Sequence, residues 1–405
     1  MERGSVLQRI FKHYPSAVNA IRMKMLYIAN ARIPTEKAHG IQIMKMCEAF
    51  ARSGADVNLI VPWRFNTIKE DPFYYYNVER IFKITTIPSI DFVAFGRLGF
   101  LIQTLSFISF AIGYVLLKRS DVIYSRDELV LFFLSLFKDT IFWEMHINRW
   151  NFIIKRVVKV ARSIVVITHG LKTFLHKKGV PDGKIVIAHD GVDLALFSNK
   201  GTGMMLREQY GIPATKKVIG HIGKLRTMGR GKGVEDVIVA FSNVIKEVPE
   251  ALLLLVGPNE EELPAVYTLL EDLGITTDSC KIVAHVPQRD VPSFMHMSDV
   301  LVMYYPTSEH YKYYMSPLKL FEYMASGVPI VTSDLPSIRE ILNVNNAVLV
   351  EAHNTKALAH GIIDVLHNTR LARDNAIHAR ADVTRYSWEK RAEHILGMIK
   401  SHLKQ

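Results

Sequence analysis

Short apolar runs and helix-like repeats alternate along this chain, and this alternation is the feature that most constrains its fold. Residues 25–29 form a short apolar run typical of a strand, residues 40–54 place apolar side chains at helical spacing, and residues 57–61 form a second apolar run. Strand, helix and strand within about 40 residues make a βαβ unit, because two parallel strands need a crossover connection between them. The chain therefore begins with a parallel sheet.

The same pattern recurs to the end of the sequence, and a chain of 405 residues is too long for one hydrophobic core. Small and polar residues gather at 197–213, which we predict to separate two α/β domains, each a doubly wound, Rossmann-like sheet. A helix is predicted at 234–247. The predicted strands cover 121–124, 141–143, 164–168 and 184–188 before the boundary, and 217–223, 252–256, 281–284, 300–303, 330–332 and 347–350 after it.

Residues 99–117 are uncharged and almost entirely apolar, and they approach the length of about 20 residues that a membrane-spanning helix requires. The stretch also contains two serines, a threonine and Gln103, and it leads directly into the predicted strand at 121–124. We therefore favour a core helix over a membrane span. Residues 1–24 carry scattered charges and no continuous apolar segment, so no cleavable signal peptide is expected.

The net charge of +11 lies entirely in the first half of the chain. Residues 1–195 hold 27 Lys and Arg against 16 Asp and Glu, whereas residues 196–405 hold 23 of each. Such a field favours anionic partners, namely phospholipid head groups, a lipid-linked phosphate or nucleic acid, although a basic surface also serves solubility alone. Residues 151–162 alternate apolar and basic side chains, which fits an interfacial membrane helix and equally a surface helix packed on a sheet.

The stretch at 316–333 combines a helix start with charged groups. Pro317 suits the first turn of a helix, where its missing N–H costs nothing, and the amides of Leu318 and Lys319 are left free. Free amides and the helix dipole make a site for an anion such as pyrophosphate, and Glu322 lies about one and a half turns further on, where it can accept from ribose hydroxyls. The alternative is an ordinary junction between a helix and a strand, without a ligand.

Residues 220–233 form a second candidate anion loop. Four glycines, Gly223 among them, let the backbone approach a ligand, and four basic side chains, including Lys224 and Lys232, supply positive charge. No Gly-Lys-Ser/Thr follows, so this is not a Walker loop, and the glycine spacing does not fit a dinucleotide-binding loop. The position between a predicted strand and a predicted helix favours phosphate binding, while a flexible basic loop without a ligand is the alternative.

His146 follows the predicted strand at 141–143, at the edge where the sites of α/β proteins gather, although a lone histidine there also fits a structural role. The histidines and cysteines show no metal-binding spacing, so no metal is expected. Cys47 and Cys280 are predicted to be buried free thiols. The sequence lacks a Gly-x-Ser-x-Gly elbow, which argues against hydrolase chemistry.

Taken together, these stretches resemble the family 4 glycosyltransferases, retaining enzymes of the GT-B fold, from about residue 24 to the end of the chain. Residues 220–233 are similar to the family's diphosphate clamp, with Lys224 where an arginine is usual. Residues 316–333 are similar to its acidic motif, with Tyr314 where the first of two glutamates is usual and Glu322 as the second. Residues 32–42 resemble the family's first glycine loop, which contains Gly40.

Further segments carry the same resemblance. Residues 142–146 look like the strand that ends in the sugar-pocket histidine, and residues 189–193 look like the segment at the domain hinge, with His189-Asp190 where Pro-Asn is usual. Residues 387–389 resemble the start of a final helix that crosses back onto the first domain. The expected division is a basic leader at 1–23, an acceptor-side domain at 24–197, a donor-binding domain at 198–384 and the crossing helix at 385–405.

The resemblance implies a retaining glycosyltransferase that moves a hexosyl-type sugar from a UDP- or GDP-sugar to a lipid-linked or glycan acceptor, without a metal or other cofactor. It implies catalytic roles for His146, Lys224 and Lys232. It implies donor binding by Gly40, Gly223, Ser316, Pro317, Leu318, Lys319 and Glu322.

The expected setting follows from the same resemblance and from the charge of the first half. We expect a cytoplasmic protein at the inner face of a membrane, with peripheral contact to anionic lipid through the basic N-terminal domain and without nucleic acid as a partner. Two alternatives remain: a catalytically degenerate scaffold that binds a nucleotide-sugar, and a nucleotide-sugar epimerase.

Overall fold

The computed structural model describes residues 22–199, 201–227 and 230–403, without the side chains of 226, 227 and 230. Most of the predicted leader at 1–23 lies outside the described residues. Within them, the chain forms two parallel sheets covered by helices on both faces, which confirms the predicted doubly wound α/β architecture.

The first sheet has seven strands. They are β1 (Lys24–Ile28), β2 (Asp56–Pro62), β3 (Lys83–Ile87), β4 (Val122–Ser125), β5 (Ile141–Met145), β6 (Ser163–Val166) and β7 (Ile185–Ile187), in the spatial order β3-β2-β1-β4-β5-β6-β7. The connecting helices are α1 (Ala38–Arg52), α2 (Pro72–Tyr75), α3 (Gly96–Leu117), α4 (Glu128–Leu134), α5 (Phe152–Val160) and α6 (His169–Lys177). The strand order reverses between β1 and β4, so the carboxyl ends of these two strands flank a crevice.

The second sheet has six strands and a small hairpin beside it. In chain order its elements are α7 (Thr202–Gln209), β8 (Lys217–Ile222), β9 (Arg226–Thr227), β10 (Arg230–Gly231), α8 (Val234–Glu247), β11 (Ala251–Val256), α9 (Leu263–Asp272), β12 (Cys280–Val283), α10 (Val291–His296), β13 (Val300–Met303), α11 (Glu309–Tyr313), α12 (Leu318–Ser326), β14 (Ile330–Ser333), α13 (Pro336–Arg339), β15 (Val348–Val350), α14 (Thr355–His367) and α15 (Thr369–Asp382). The sheet order is β12-β11-β8-β13-β14-β15, and β9 pairs with β10.

Two hydrophobic layers cover the first sheet, one on each face. The helices α3, α4, α5 and α6 pack on one face through residues such as Phe107, Leu131 and Val157. The opposite face is covered by α1 and by the last helix of the chain, α16 (Trp388–Leu403), whose Ile395 is fully buried there. The final helix thus returns to the first sheet after the second sheet is complete, and it ties the two domains together.

Most predicted elements are confirmed within two residues of their predicted bounds, and both cysteines are free and buried. The sequence analysis missed β3 and the β9–β10 hairpin. Strand β3 lies at the edge of the sheet, and of its five residues only Ile87 is fully buried. An edge strand exposed in this way lacks the apolar run by which the other strands were recognised.

The prediction of a core helix at 99–117 is right for one face of α3 and wrong for the other. Phe107, Ala111 and Val115 are fully buried against the sheet, whereas Leu98 and Leu117 remain 69% and 86% exposed. Among the described residues, one helical segment, Val93–Leu117, is long and apolar enough to cross a membrane by length and composition, and one third of its apolar 18-residue window is buried.

Candidate functional site

The loops at the carboxyl ends of the two sheets meet between the domains. Thr168, which precedes α6, donates from Oγ1 to the carbonyl of Tyr313 over 3.1 Å, and the amide of Asp190 donates to Oγ of Ser316 over 3.0 Å. A Cβ on Gly170 would lie 2.0 Å from the Tyr313 carbonyl oxygen, so the two domains approach closely there. The edges of the sheets that hold the predicted site residues therefore face each other.

Glycines shape the loop after β8. Gly223 has a φ of 126°, which strains any side chain, and a Cβ on it would lie 3.0 Å from Cε of Lys319. Gly233 has a φ of 76° at the start of α8, where a Cβ would lie 2.1 Å from the Tyr304 carbonyl oxygen. The glycine at 223 thus leaves room for the Lys319 side chain beneath the loop, and the glycine at 233 lets the returning chain pass over β13.

Three lysines converge at this loop. Lys319 is buried, and its Nζ lies 3.4 Å from Nε2 of His221 at the end of β8. Burial, reinforced by the charge of Lys232, lowers the pKa of Lys319 to about 7. Burial and the charge of Lys224 likewise lower the pKa of Lys232. Cations that hold one another's pKa values down form a site that is stabilised by an anion.

The start of α12 adds backbone donors to this cluster. Pro317 is the N-cap of the helix, one position earlier than a first-turn proline, so the amides of Leu318 and Lys319 open the helix as predicted. The side chain of Leu318 packs against the first domain. One turn later, Glu322 accepts from Nε2 of Gln288 over 2.6 Å, and burial raises the pKa of its carboxyl.

His146 belongs to a buried network centred on Glu144. The carboxylate Oε1 of Glu144 lies 2.7 Å from Nε2 of His146, accepts from Gln42 over 2.7 Å and forms an ion pair with Arg391 of α16 over 2.9 Å. Burial, with the charge of Arg126, lowers the pKa of His146 to about 4, so the ring is neutral at pH 7. A neutral ring beside this carboxylate donates from Nε2, which leaves Nδ1 as an acceptor.

The sequence analysis missed the groups that hold His146. Arg126 follows β4 and donates to Oε1 of Gln42 over 2.6 Å, and the hydroxyl of Tyr124 donates to Glu144. The signal available in the sequence was a glutamate within the apolar strand β5, because a buried carboxylate requires partners. Among the described residues, no hydrogen bond or ion pair joins His146 directly to the lysine cluster.

Gly40 and Tyr314 make packing contacts. Gly40 is in the first turn of α1, and a Cβ there would lie 2.3 Å from the hydroxyl of Tyr76, so its lack of a side chain serves packing inside the first domain. Tyr314 donates to the carboxylate of Glu309 over 3.2 Å, and its ring packs against Phe174 of α6. The position of the usual first glutamate is thus part of the contact between the domains.

The loop at residues 32–42 interacts electrostatically with the second domain through Glu36. Burial acts to raise the pKa of Glu36, but a backbone hydrogen bond and the ammonium of Lys224 outweigh it and lower that pKa. Lys224 therefore lies within electrostatic reach of the 32–42 loop. This interaction brings the predicted glycine loop and the predicted clamp to the same side of the cleft.

The described residues contain one cluster of three potential metal ligands, which the sequence spacing did not reveal. Ligand atoms of His169, His189 and Glu340 lie within 4.8 Å of one another at the contact between the domains. The Glu340 carboxylate accepts from the amides of His169 and Gly170 at the start of α6, over 2.9 and 3.3 Å. These hydrogen bonds join Glu340, at the end of α13 in the second domain, to the start of α6 in the first domain.

Comparison with known proteins finds a family that the second domain resembles. Residues 205–382 match the model of the family described as Glycosyl transferases group 1. The match covers the lysine cluster, the start of α12 and Glu322. Residues 205–382, which form most of the second domain, are thus similar to the group 1 glycosyl transferases.

The curated relatives are distant and match over part of their length. The chain is 26% identical over 234 residues to N-acetyl-alpha-D-glucosaminyl L-malate synthase of Bacillus anthracis, which covers 58% of each protein. It is 27% identical over 217 residues to phosphatidyl-myo-inositol mannosyltransferase of Mycobacterium tuberculosis, which covers 52% of this chain and 53% of that protein. The chain thus spans little more than half the length of the curated relatives it matches.

Solved structures share the whole fold. The structure of Anabaena HepE in complex with UDP and glucose superposes with a TM-score of 0.72 at 17% identity, over 94% of this chain and 100% of that chain. Sucrose-phosphate synthase from Thermosynechococcus elongatus gives a TM-score of 0.74 at 18% identity, over 94% and 99%. These likenesses confirm the GT-B fold.

Proposed function

We propose that the protein is a retaining glycosyltransferase that uses a UDP- or GDP-sugar and a lipid-linked or glycan acceptor. The observation that carries the proposal is the convergence of Lys224, Lys232 and Lys319 with the free amides at the start of α12. A diphosphate supplies the negative charge that this cluster needs, and Glu322 lies one turn away to accept from ribose hydroxyls. The relatives named for glycosyl transfer, and the HepE complex with UDP and glucose, support the same donor class.

In the proposed reaction, the bond between the anomeric carbon and the diphosphate oxygen breaks. A bond between that carbon and the acceptor oxygen forms on the same face of the sugar, and the acceptor proton passes to the leaving diphosphate. Lys224, Lys232 and the amide of Lys319 stabilise the charge that grows on the leaving group, which requires no metal. The neutral ring of His146 offers Nδ1 as an acceptor for a sugar hydroxyl.

A thermal-shift series tests the donor class. UDP, GDP and ADP, and their common sugar conjugates, are added to the protein with and without a chelator. We expect one nucleoside diphosphate and its sugar conjugate to raise Tm by several degrees, since a ligand at about 100 times its Kd stabilises by about 2.7 kcal/mol. The shift should survive the chelator. Two outcomes would contradict the proposal. One is that no nucleotide shifts Tm, and the other is that the donor binds but its sugar is not transferred to any lipid or glycan acceptor.

The affinity for the diphosphate is expected to fall as the pH rises above about 7. In the free protein Lys319 loses its proton near that pH, whereas a bound diphosphate favours the charged ammonium and raises the pKa of the lysine. Binding above pH 7 must therefore take up a proton, and Kd should rise by up to about tenfold per pH unit. Isothermal titration in buffers of different ionisation enthalpy, from pH 6 to 9, measures both effects.

Two variants control this experiment. Lys319→Met should bind more weakly and abolish the proton uptake, while Lys246→Met, which changes an exposed lysine on α8, should retain the wild-type pH profile. Proton uptake that persists in Lys319→Met would assign it to another group and would exclude the proposed role of the Lys319 ammonium.

A further inference from the structure

The outer face of α3 carries an exposed apolar ridge. We define the ridge as Phe95, just before the helix, together with the side chains that recur on its outer face, namely Leu98, Leu101, Ile102, Leu105 and Leu116. Phe95 is 77% exposed and Leu98 is 69% exposed. The whole of α3 contains one charged residue, Arg97. A continuous apolar face of this size on the surface of a protein is typical of a binding surface.

The inner face of α3 fixes how the ridge can be used. Phe107, Ala111 and Val115 are fully buried against the first sheet, so the helix would have to leave the domain core in order to span a membrane. Kept in place, α3 can lie flat against an apolar phase with its outer side chains inserted. This is the geometry of an interfacial helix.

Basic side chains lie in the same helical layer as the ridge, on the far side of α4. Helix α5 lies in the same layer, linked through α4 by the ring contact of Phe132 with Phe152 at 5.7 Å, and Phe152 itself is 71% exposed. The outer face of α5 exposes Lys155, Arg156 and Lys159. Neither α3 nor α5 contains an acidic residue. The acids nearby are already bound, Glu128 to Arg149 at 3.5 Å and Asp139 to Arg162 at 3.3 Å.

The ridge also lies next to the cleft. Asn30 lies two residues after β1, at the carboxyl edge of the sheet. Its side chain donates to Oγ1 of Thr104 over 3.0 Å and accepts from Nε2 of Gln103 over 3.0 Å. The first half of α3 is thereby fastened to the edge from which the first domain faces the site.

We propose that the ridge of α3 and the basic face of α5 form a membrane-docking surface for an anionic bilayer. The ridge inserts among the acyl chains, and Lys155, Arg156 and Lys159 contact the lipid phosphates. The carboxyl edge of the first sheet, which faces the cleft, then rests at the bilayer surface, within reach of an acceptor held in the same membrane. This last step rests on the proposed function, whereas docking itself does not. The basic side chains of α5 complement the charge of an anionic lipid surface. A second copy of the chain presents the same basic side chains here, so it is a less favourable partner.

Flotation with lipid vesicles tests the proposal. The full-length protein is mixed with vesicles of phosphatidylcholine alone, or of phosphatidylcholine with about one third phosphatidylglycerol. We expect binding to the anionic vesicles that weakens at high salt, because the basic face is screened. The triple variant Leu98→Gln/Leu101→Gln/Leu105→Gln should lose at least about tenfold in vesicle affinity with its Tm unchanged, since all three side chains are already exposed.

Matched controls separate the ridge from general hydrophobicity and from fold. Met204→Gln/Met205→Gln/Ile377→Gln removes three exposed apolar side chains from the second domain and should bind vesicles like the wild type. Lys155→Glu/Lys159→Glu should lose the preference for anionic vesicles. The Tm shift with nucleoside diphosphates should be the same in all variants, so a failure of docking and a failure of the proposed function are distinguishable.

Three outcomes would overturn the proposal. The ridge variant could bind anionic vesicles as well as the wild type does. The wild type could ignore vesicles but form a dimer by light scattering that the ridge variant abolishes, which would assign the ridge to contact between copies. Resistance to alkaline carbonate extraction from native membranes would assign α3 to a membrane span.

Discussion

Replacing Lys232 with alanine is expected to lower kcat/KM by about 100- to 1000-fold, the cost of removing one preorganised group that stabilises charge in a transition state. Lys232 lies within the lysine cluster, where burial and Lys224 lower its pKa, so its ammonium is poorly hydrated before the donor arrives. Its attraction to a developing diphosphate is correspondingly strong. Steady-state kinetics with the donor found by the thermal-shift series measures the loss, and a fall in kcat larger than the rise in KM would assign the role to the transition state.

The control for this prediction is Lys246→Ala, which removes an exposed lysine of the same domain on α8 and should leave the kinetics unchanged. Turnover of Lys232→Ala within a factor of about three of the wild type would exclude the clamp role. Because the three lysines act on one anion, the loss in a Lys232→Ala/Lys319→Met double variant should be smaller than the product of the single losses.

Replacing Arg391 with methionine is expected to destabilise the protein by about 3–5 kcal/mol, the usual cost of removing one partner of a buried ion pair. Arg391 and Glu144 are both buried, and their pairing over 2.9 Å joins α16 to β5. Burial acts to raise the pKa of Glu144, but Arg391, together with His146 and Arg126, outweighs it and lowers that pKa well below its usual value. Without the arginine, the carboxylate stays in the core with neutral donors alone. Urea unfolding at pH 7 measures the change.

The matched control is Lys390→Met, the exposed neighbour on α16, which should change the stability by less than about 0.5 kcal/mol. A carboxyl group whose pKa is lowered in the folded protein stabilises the fold fully at a pH above its pKa in the unfolded state. This stabilisation is lost as the pH falls through the folded-state pKa, so the penalty of Arg391→Met should shrink under acid conditions. The double variant Glu144→Gln/Arg391→Met should recover part of the lost stability. A penalty near zero in the single variant at pH 7 would refute the view that this pair holds α16 in place.

The sequence by itself determined the order and type of most elements. Strand and helix periods are local properties, so the apolar run at Val300–Met303 and the helix at Val234–Glu247 were predicted with their observed bounds. The glycine-shaped loop after β8 and the start of α12 after Pro317 were also predictable, because glycine and proline act on the backbone within a few residues; anion binding at these places stays a prediction. The family resemblance rests on the same local stretches, and the match at residues 205–382 confirms it.

The tertiary structure decided what surrounds each of these groups. Glu144 and Arg391 are 247 residues apart in sequence, and Lys319 meets His221 across 98 residues, so no local period reports either contact. Tertiary packing likewise turned one face of α3 inward and left its ridge exposed, whereas the sequence predicted only a core helix. The reason is physical: a period of 3.6 or 2 residues fixes an element's conformation, but burial, pKa and exposure depend on which distant element packs against it.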